Sequence, residues 1–281
     1  MVLIKFVLRL ATLAFLLLDA SLLLVLAAPG AAGPVFRVAT LWSTRYEGCN
    51  LADVVRSERE GLNPIPTGLE TAIHVVGHDG DLDLLATPLG DFWTRRKEAR
   101  TLYSMIAGQI EGAYEVGGRG VHSGDIVLDC GANIGVYTRH ALSVGARQVI
   151  ATEPSPELLP LLRRNLAPEI DSGKVILAEK DIAAPLTTID LLVRDAKLDR
   201  VDFIKIDVGG AERQALRGAL DTVKRFHPRL AVALDHLERG PEEIPPYILS
   251  LWPQLHTICG PCTMQTPGPR FRVQPQVVAA Y

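Results

Sequence analysis

Residues 124–154 read GDIVLDCGANIGVYTRHALSVGARQVIATEP, and this stretch decides the fold of the chain. The apolar run from Ile126 to Leu128 is typical of a strand that is buried on both faces of a parallel sheet. A glycine-rich turn follows, then apolar residues at helical spacing as far as Gly145, then a second apolar run from Gln148 to Thr152. The stretch therefore predicts a βαβ unit with a glycine turn at its centre.

The turn and the residue after the second strand have the spacing of a ligand-binding site. Gly131 permits a tight turn and a close approach of a ligand to the backbone, and Gly135 permits close packing of the following helix. Glu153 lies about 20 positions beyond the turn, where such sheets place a carboxylate for ribose hydroxyls. The pattern D-x-G-x-x-x-G is not the G-x-G-x-x-G of nicotinamide cofactors. A glycine turn in a ligand-free α/β domain is the alternative interpretation.

Short apolar strands continue to alternate with helices beyond Glu153. The runs at 175–178, 201–206 and 230–234 predict three further strands of an open, mostly parallel sheet with helices on both faces. Polar residues follow these strands, and ligands bind at the carboxyl ends of such strands. We therefore expect one site that contains Asp129, Glu153, Asp207, Asp235 and His236. Asp181, after the third strand, is predicted either to approach a bound adenine or to be a surface aspartate.

Length and composition predict one sizeable α/β domain with an N-terminal extension. The chain has 281 residues, 48% hydrophobic, with a net charge of -3 and no basic run, which argues against a nucleic-acid partner. Residues 1–28 are predicted to be a signal peptide or a membrane anchor, and 29–34 a linker. Residues 35–120 are predicted to form an N-terminal cap, with a helix from Phe92 to Tyr114, and residues 121–281 the main domain. The expected location is at a membrane or in the secretory pathway, with the cytoplasm as the alternative.

The four cysteines raise a rival function. Cys259-Gly-Pro-Cys262 is the string that thioredoxin-like redox proteins place at the start of a helix. Here Pro267 prevents a long helix, so a turn between the last two strands is predicted instead. The cysteines are also too few and too scattered to predict a disulfide scaffold, and no metal ligands are predicted.

From Gly124 to His236 the sequence resembles the FkbM family of S-adenosylmethionine (SAM)-dependent methyltransferases. The segments that carry the resemblance are 128–135, Glu153-Pro154, Asn165, 188–192 and 202–212, the last reading DFIKIDVGGAE. The resemblance implies a Rossmann-like class I methyltransferase sheet with one antiparallel strand. It also implies SAM as the cofactor and O-methylation of a small molecule or sugar hydroxyl.

The resemblance assigns roles to residues at the predicted site. Cofactor binding is expected at Asp129, Gly131, Asn133, Gly135, Glu153 and Asp181. His236 is the first candidate for the catalytic base, because its unperturbed pKa of about 6.5 lies near working pH. Asp207 is expected to orient the acceptor or the methionine end of the cofactor, with Asp235 beside it. Lys205 and Glu212 are predicted either to take part or to form a structural pair.

Two departures from the family pattern support a non-enzymatic alternative. Members of the family usually carry glutamate where this chain has Gly209, and they usually have a longer connection than the one between Lys180 and Pro185. The alternative is a methyltransferase-like domain that binds SAM poorly and serves as an interaction or structural module. The sequence does not predict the methyl acceptor or the oligomeric state.

Overall fold

The computed structural model describes residues 37–43, 45–46, 48–60, 68–265 and 272–281. The predicted signal peptide or anchor (1–28) and the linker (29–34) lie outside these residues. Among the residues described, no helix combines the length and the apolar composition that a membrane crossing requires.

Between residues 126 and 251 the described chain alternates strands with one or two helices, and the last four strands follow one another. The strands are β1 (His74–Asp79), β2 (Leu82–Ala86), β3 (Phe92–Arg95), β4 (Ile126–Cys130), β5 (Gln148–Thr152), β6 (Val175–Ala178), β7 (Phe203–Ile206), β8 (Arg229–Ala233), β9 (Thr257–Cys259), β10 (Cys262–Gln265), β11 (Arg272–Pro275) and β12 (Val277–Ala280). The helices with defined bounds are α1 (Leu51–Glu60), α2 (Leu69–Ala72), α3 (Ala99–Ile110), α4 (Val136–Val144), α5 (Leu159–Asn165), α6 (Ala167–Asp171), α7 (Ile189–Asp195), α8 (Glu212–Arg217), α9 (Leu220–Phe226) and α10 (Gly240–Leu251). Residues 37–43 are also helical, and two 3₁₀ turns span Arg96–Glu98 and Val116–Gly118.

The main sheet has seven strands in the order β6-β5-β4-β7-β8-β12-β9. The pairs β4/β5, β5/β6, β4/β7 and β7/β8 are parallel, whereas β12 runs antiparallel to both β8 and β9. This arrangement confirms the predicted Rossmann-like sheet with one antiparallel strand.

The two faces of the sheet bury alternate residues of each central strand. On β4, Leu128 packs in one core cluster with Leu192 of α7 and Leu216 of α8. Its neighbour Val127 packs in a second cluster with Tyr137 of α4, on the other face. Because successive strand residues point to opposite faces, the continuous apolar runs in the sequence follow from cover by helices on both sides.

The N-terminal region corrects one predicted element. Phe92–Arg95 forms strand β3, paired with β2, and the helix begins only at Ala99. Phe92 and Thr94 are buried whereas Trp93 is only partly so, which is the two-residue period of a strand. The predicted helix from Phe92 to Tyr114 therefore began too early and ended too late.

A short C-terminal hairpin, β10 with β11, is attached to the N-terminal part of the chain by a disulfide. Cys262 is bonded to Cys49, 213 positions away in sequence. Around this bond, Arg56 donates to the Cys262 carbonyl at 2.9 Å and the Tyr46 amide donates to the Val273 carbonyl at 2.8 Å. The spacing of the cysteines does not predict a disulfide scaffold, and the structure corrects this expectation with the Cys49–Cys262 bond. The bond could not be predicted because the partner of Cys262 lies far away in the sequence.

Candidate active site

The predicted site residues lie at one edge of the sheet, where the parallel strands end. Asp129 is the last residue but one of β4, Glu153 directly follows β5, and Asp207 directly follows β7. Asp235 and His236 follow β8. The topology therefore places the four strand ends side by side, in the order β5, β4, β7, β8.

The glycine turn after β4 lies directly against the end of β7. Gly131 has φ +88°, and a Cβ atom built on it would lie 1.8 Å from the carbonyl oxygen of Asp207. Gly135 has φ +96°, and a Cβ atom there would lie 2.9 Å from Leu166. Both positions thus require glycine for conformation and for space. Gly135 makes its close contact with the helices after β5 and not with a strand.

Glu153 is fixed by two backbone amides. Its Oε2 atom accepts a hydrogen bond from the amide of Asn133 at 2.9 Å, and its Oε1 atom accepts one from the amide of Ser155 at 2.9 Å. Asn133 lies in the left-handed region at φ +52°, and its Oδ1 atom accepts from the Ile134 amide at 2.8 Å. Burial raises the pKa of Glu153, although the two amides oppose that shift. Glu153 is therefore held in one orientation at the mouth of the turn.

Asp129 is buried beneath the glycine turn. Its Oδ1 atom lies 3.0 Å from Lys205 Nζ, and its Oδ2 atom accepts from the Thr138 hydroxyl at 2.6 Å. Lys205 also donates to the Gly131 carbonyl at 2.8 Å. Because Asp129 is fully buried and both oxygens have partners, it faces the protein interior. The expected direct contact of Asp129 with a cofactor does not fit this geometry.

Asp207 is the centre of a polar network at the ends of β7 and β8. Its Oδ1 atom lies 2.9 Å from His236 Nε2, and its Oδ2 atom accepts from the Tyr114 hydroxyl at 2.8 Å. Lys205 Nζ lies 3.7 Å from the same Oδ2 atom. Burial alone would raise the pKa of Asp207, but Lys205, His236 and Tyr114 together hold this pKa below its usual range. Asp207 is therefore ionised near neutral pH.

Asp207 and His236 form a hydrogen-bonded pair, called the dyad below. This pairing makes the histidine more basic than the sequence predicts. The hydrogen bond to Asp207 raises the pKa of His236 to about 9, despite partial burial that works in the opposite direction. The expectation of a pKa near 6.5 is corrected because the sequence did not show the contact with Asp207. Asp235 lies 3.9 Å from His236 Nε2, and burial raises the pKa of Asp235.

Lys205 and Glu212 serve different partners, so the predicted structural pair is not formed. Lys205 contacts Asp129 and Asp207 as described above, whereas Glu212 Oε1 accepts from the amides of Val208 and Gly210 at 3.2 and 3.1 Å. Glu212 is fully buried, and its two hydrogen bonds with backbone amides fix the turn between β7 and α8.

Asp181 lies apart from the dyad, in the short connection after β6. It is exposed, and its Oδ1 atom accepts from the Ala183 amide at 3.0 Å. Its carbonyl oxygen accepts from the Thr187 hydroxyl, so the connection closes as a compact turn. This turn shows a local structural role for Asp181.

Neither a metal site nor a redox pair is found near this network. Among the residues that the structure describes, no group of three or more histidine, cysteine or acidic side chains is arranged to hold a metal ion. Cys262 is bonded to Cys49 and not to Cys259, so the two cysteines of the C-G-P-C string do not form a redox pair. Burial also raises the pKa of the Cys259 thiol, which makes it less reactive.

Tyr114 and Thr138 are the site residues that the sequence did not reveal. Tyr114 follows an apolar helix and Thr138 lies inside another. Residues in such positions usually serve packing, so the sequence gives no sign of a role in the site. Only the fold brings Tyr114 to Asp207, 93 positions further along the chain.

A family model matches the part of the chain that contains the dyad. Residues 177–251 match the family model described as the methyltransferase FkbM domain, a range that includes the dyad, Lys205 and Glu212. None of the curated proteins compared with the chain matches it.

The solved structures that resemble the chain are distant in sequence. An FkbM methyltransferase from Methylobacillus flagellatus KT is 21% identical, with 67% of this chain and 56% of that chain covered and a TM-score of 0.48. Aeropyrum pernix fibrillarin, solved with natively bound S-adenosyl-L-methionine, is 16% identical, with 74% and 99% covered and a TM-score of 0.42. The chain thus spans little more than half of the M. flagellatus protein. The family match confirms the resemblance seen in the sequence over residues 177–251, which match the methyltransferase FkbM domain.

Proposed function

We propose that the chain transfers a methyl group from SAM to a hydroxyl group of a small molecule or sugar. The observation that carries the proposal is the contact between the two halves of the site. Gly131 of the glycine turn lies against the backbone of Asp207, and Asp207 is paired with His236. A cofactor held at the turn is then next to a basic group, and methyl transfer to a hydroxyl group needs this combination of alignment and proton removal.

The glycine turn and Glu153 are chemically suited to SAM. Each carboxylate oxygen of Glu153 accepts one amide hydrogen bond and retains a lone pair for a ribose hydroxyl. Gly131, Asn133 and Gly135 supply the backbone of the turn, while Asp129 acts from beneath it through Lys205. Asp181 is proposed for the adenine end because it follows the third of the parallel strands along the chain. When bound, SAM supplies an electrophilic methyl group on a sulfonium cation.

His236 is the proposed base, and Asp207 sets its tautomer. Because Asp207 is ionised, it can only accept a hydrogen bond, so Nε2 of His236 carries the proton between them. The Nδ1 atom of the neutral imidazole is then left to take the proton from the acceptor hydroxyl. Asp235, beside His236, is proposed to accept a hydrogen bond from a second hydroxyl of the acceptor.

A methyltransferase-like module without turnover is the second candidate function. The observation that favours it is Gly209, two residues after Asp207, which has no side chain where the family resemblance implies a glutamate. Nucleic acid is not the proposed partner of either candidate, because the net charge is -3.

Calorimetry with SAM on the full chain tests the cofactor. We expect Glu153→Gln to weaken SAM binding about tenfold or more, since a hydrogen bond to a charged group contributes about 1.5–3 kcal/mol. Glu157→Gln is the matched control, because it removes the same charge from an exposed position four residues away and should leave the affinity unchanged.

The outcomes separate the two candidate functions. If the parent chain gives no heat with SAM, the cofactor assignment is wrong. Binding of SAM without single-turnover methyl transfer to any member of a panel of hydroxylated acceptors would favour the module.

A further inference from the structure

Tyr114 joins the N-terminal region to the proposed catalytic dyad. It follows α3 and precedes the segment that resembles the FkbM family, yet its hydroxyl group donates to Asp207 Oδ2 at 2.8 Å. The residue is only 9% exposed, so this hydrogen bond is shielded from water. The contact therefore belongs to the interior of the site and not to its rim.

The ring of Tyr114 is held in place independently of the hydroxyl group. It makes an edge-to-face contact with Tyr137, with ring centroids 5.1 Å apart, and Lys205 Nζ lies 5.5 Å from its centroid. Burial raises the pKa of Tyr114 well above its ordinary value, as does the negative charge of Asp207. The hydroxyl group thus keeps its proton over the working pH range and acts as a fixed donor.

Asp207 needs such a donor because its two oxygens face different partners. Oδ1 faces His236 at 2.9 Å, while Oδ2 faces Tyr114 at 2.8 Å and Lys205 at the longer distance of 3.7 Å. Without the tyrosine hydroxyl, Lys205 is the one partner of Oδ2 that remains among the residues described in the structure. Lys205 is already engaged by Asp129 and by the Gly131 carbonyl, so it restrains the carboxylate less closely.

We propose that Tyr114 is a positioning residue: its hydroxyl group holds the Asp207 carboxylate in the orientation that pairs with His236. The N-terminal region thereby completes the site. The consequence for turnover rests on the proposed function, but the orientation of Asp207 can be measured without cofactor or acceptor.

The test is the pKa of the His236 imidazole, followed by NMR in the full chain. In the parent chain this pKa is about 9 because of the hydrogen bond to Asp207. Tyr114→Phe keeps the ring and removes the hydroxyl group, so the pKa should fall by about half a unit or more toward its ordinary value of about 6.5. The other charged groups that face His236, Asp235 and Glu212, are the same in both proteins.

Tyr137→Phe is the matched control. Tyr137 stacks in the same aromatic cluster, but its buried hydroxyl group has no hydrogen-bond partner among the described residues. Its removal should leave the pKa of His236 within about 0.2 units of the parent value, since no bond to Asp207 is lost. A pKa that is unchanged or higher in Tyr114→Phe overturns the proposal, as does an equal fall in the control.

A double-mutant cycle with Asp207→Asn gives a second measurement. Asp207→Asn should itself bring the pKa of His236 close to about 6.5, and adding Tyr114→Phe should cause no further change. A further fall of the same size would show that Tyr114 acts through another group, which also overturns the proposal. If the chain proves to have no methyltransferase activity, the proposed function fails while these titrations still decide the role of Tyr114.

Discussion

The contact of His236 with a carboxylate determines how the proposed reaction should depend on pH. The hydrogen bond that His236 donates to Asp207 raises the pKa of His236 to about 9, so the imidazole is mostly protonated at neutral pH. A base must be deprotonated to act, and the single-turnover rate at saturating SAM should therefore rise about tenfold per pH unit up to about 9. Asp207→Asn should move the inflection toward about 6.5 and lower the plateau, because the base becomes weaker. A rate that is flat over this range would exclude His236 as the base.

The raised pKa of His236 also predicts that this residue contributes to the free energy of unfolding. Because the folded-state pKa is raised above the unfolded one, protonation of His236 stabilises the fold fully below about pH 6.5. This stabilisation is lost as the pH rises through about 9. The pH that favours the base form of His236 is thus the pH at which the dyad stabilises the fold least.

The turn between β7 and α8 departs from the pattern that the family resemblance implies, because Gly209 stands where that pattern has glutamate. Gly209 lies at φ +64°, in a conformation that side chains rarely adopt, but the space around it is open. Gly209→Ala and Gly209→Glu should therefore each lower the free energy of unfolding by about 1–2 kcal/mol. The two variants differ only in the side chain beyond Cβ, so they form a matched pair.

We expect Gly209→Glu to increase single-turnover methyl transfer and Gly209→Ala not to. The added carboxylate, two residues after Asp207, is expected to accept a hydrogen bond from the acceptor, as a positioning group. Methyl transfer to a panel of hydroxylated acceptors at saturating SAM measures the difference. Equal rates in the two variants would show that the glutamate of the relatives has no such role here, and a slower glutamate variant would indicate that Gly209 makes room for a larger acceptor.

The parts of the molecule that could be predicted from sequence are those with a local signal. Strands β4 to β8 follow from continuous apolar runs, and the position of Glu153 follows from its spacing after the turn. Strand β3 is not predicted, because four residues beside a helix give a weak two-residue period. Tyr114 and the inward orientation of Asp129 could not be predicted, because each depends on a partner more than 70 positions away.

The disulfide is the longest-range covalent link in the described part of the chain, and it should contribute to the stability of the whole molecule. It joins Cys49, just before α1, to Cys262 of β10 and closes a loop of 213 positions, so it restricts the unfolded chain strongly. Replacing both residues by alanine should lower the free energy of unfolding by about 2–4 kcal/mol. Adding a reductant to the parent chain should have a similar effect without any change of sequence.

Cys259→Ala is the control for this prediction, because Cys259 has a free thiol and lies three residues from Cys262. It should change the free energy of unfolding by less than about 1 kcal/mol, since the removed group is small and only partly buried. Chemical denaturation of the three proteins, with and without reductant, makes the comparison. If the reductant leaves the parent chain unchanged, or destabilises the double alanine variant as well, the bond between Cys49 and Cys262 does not tie the hairpin to the N-terminal region.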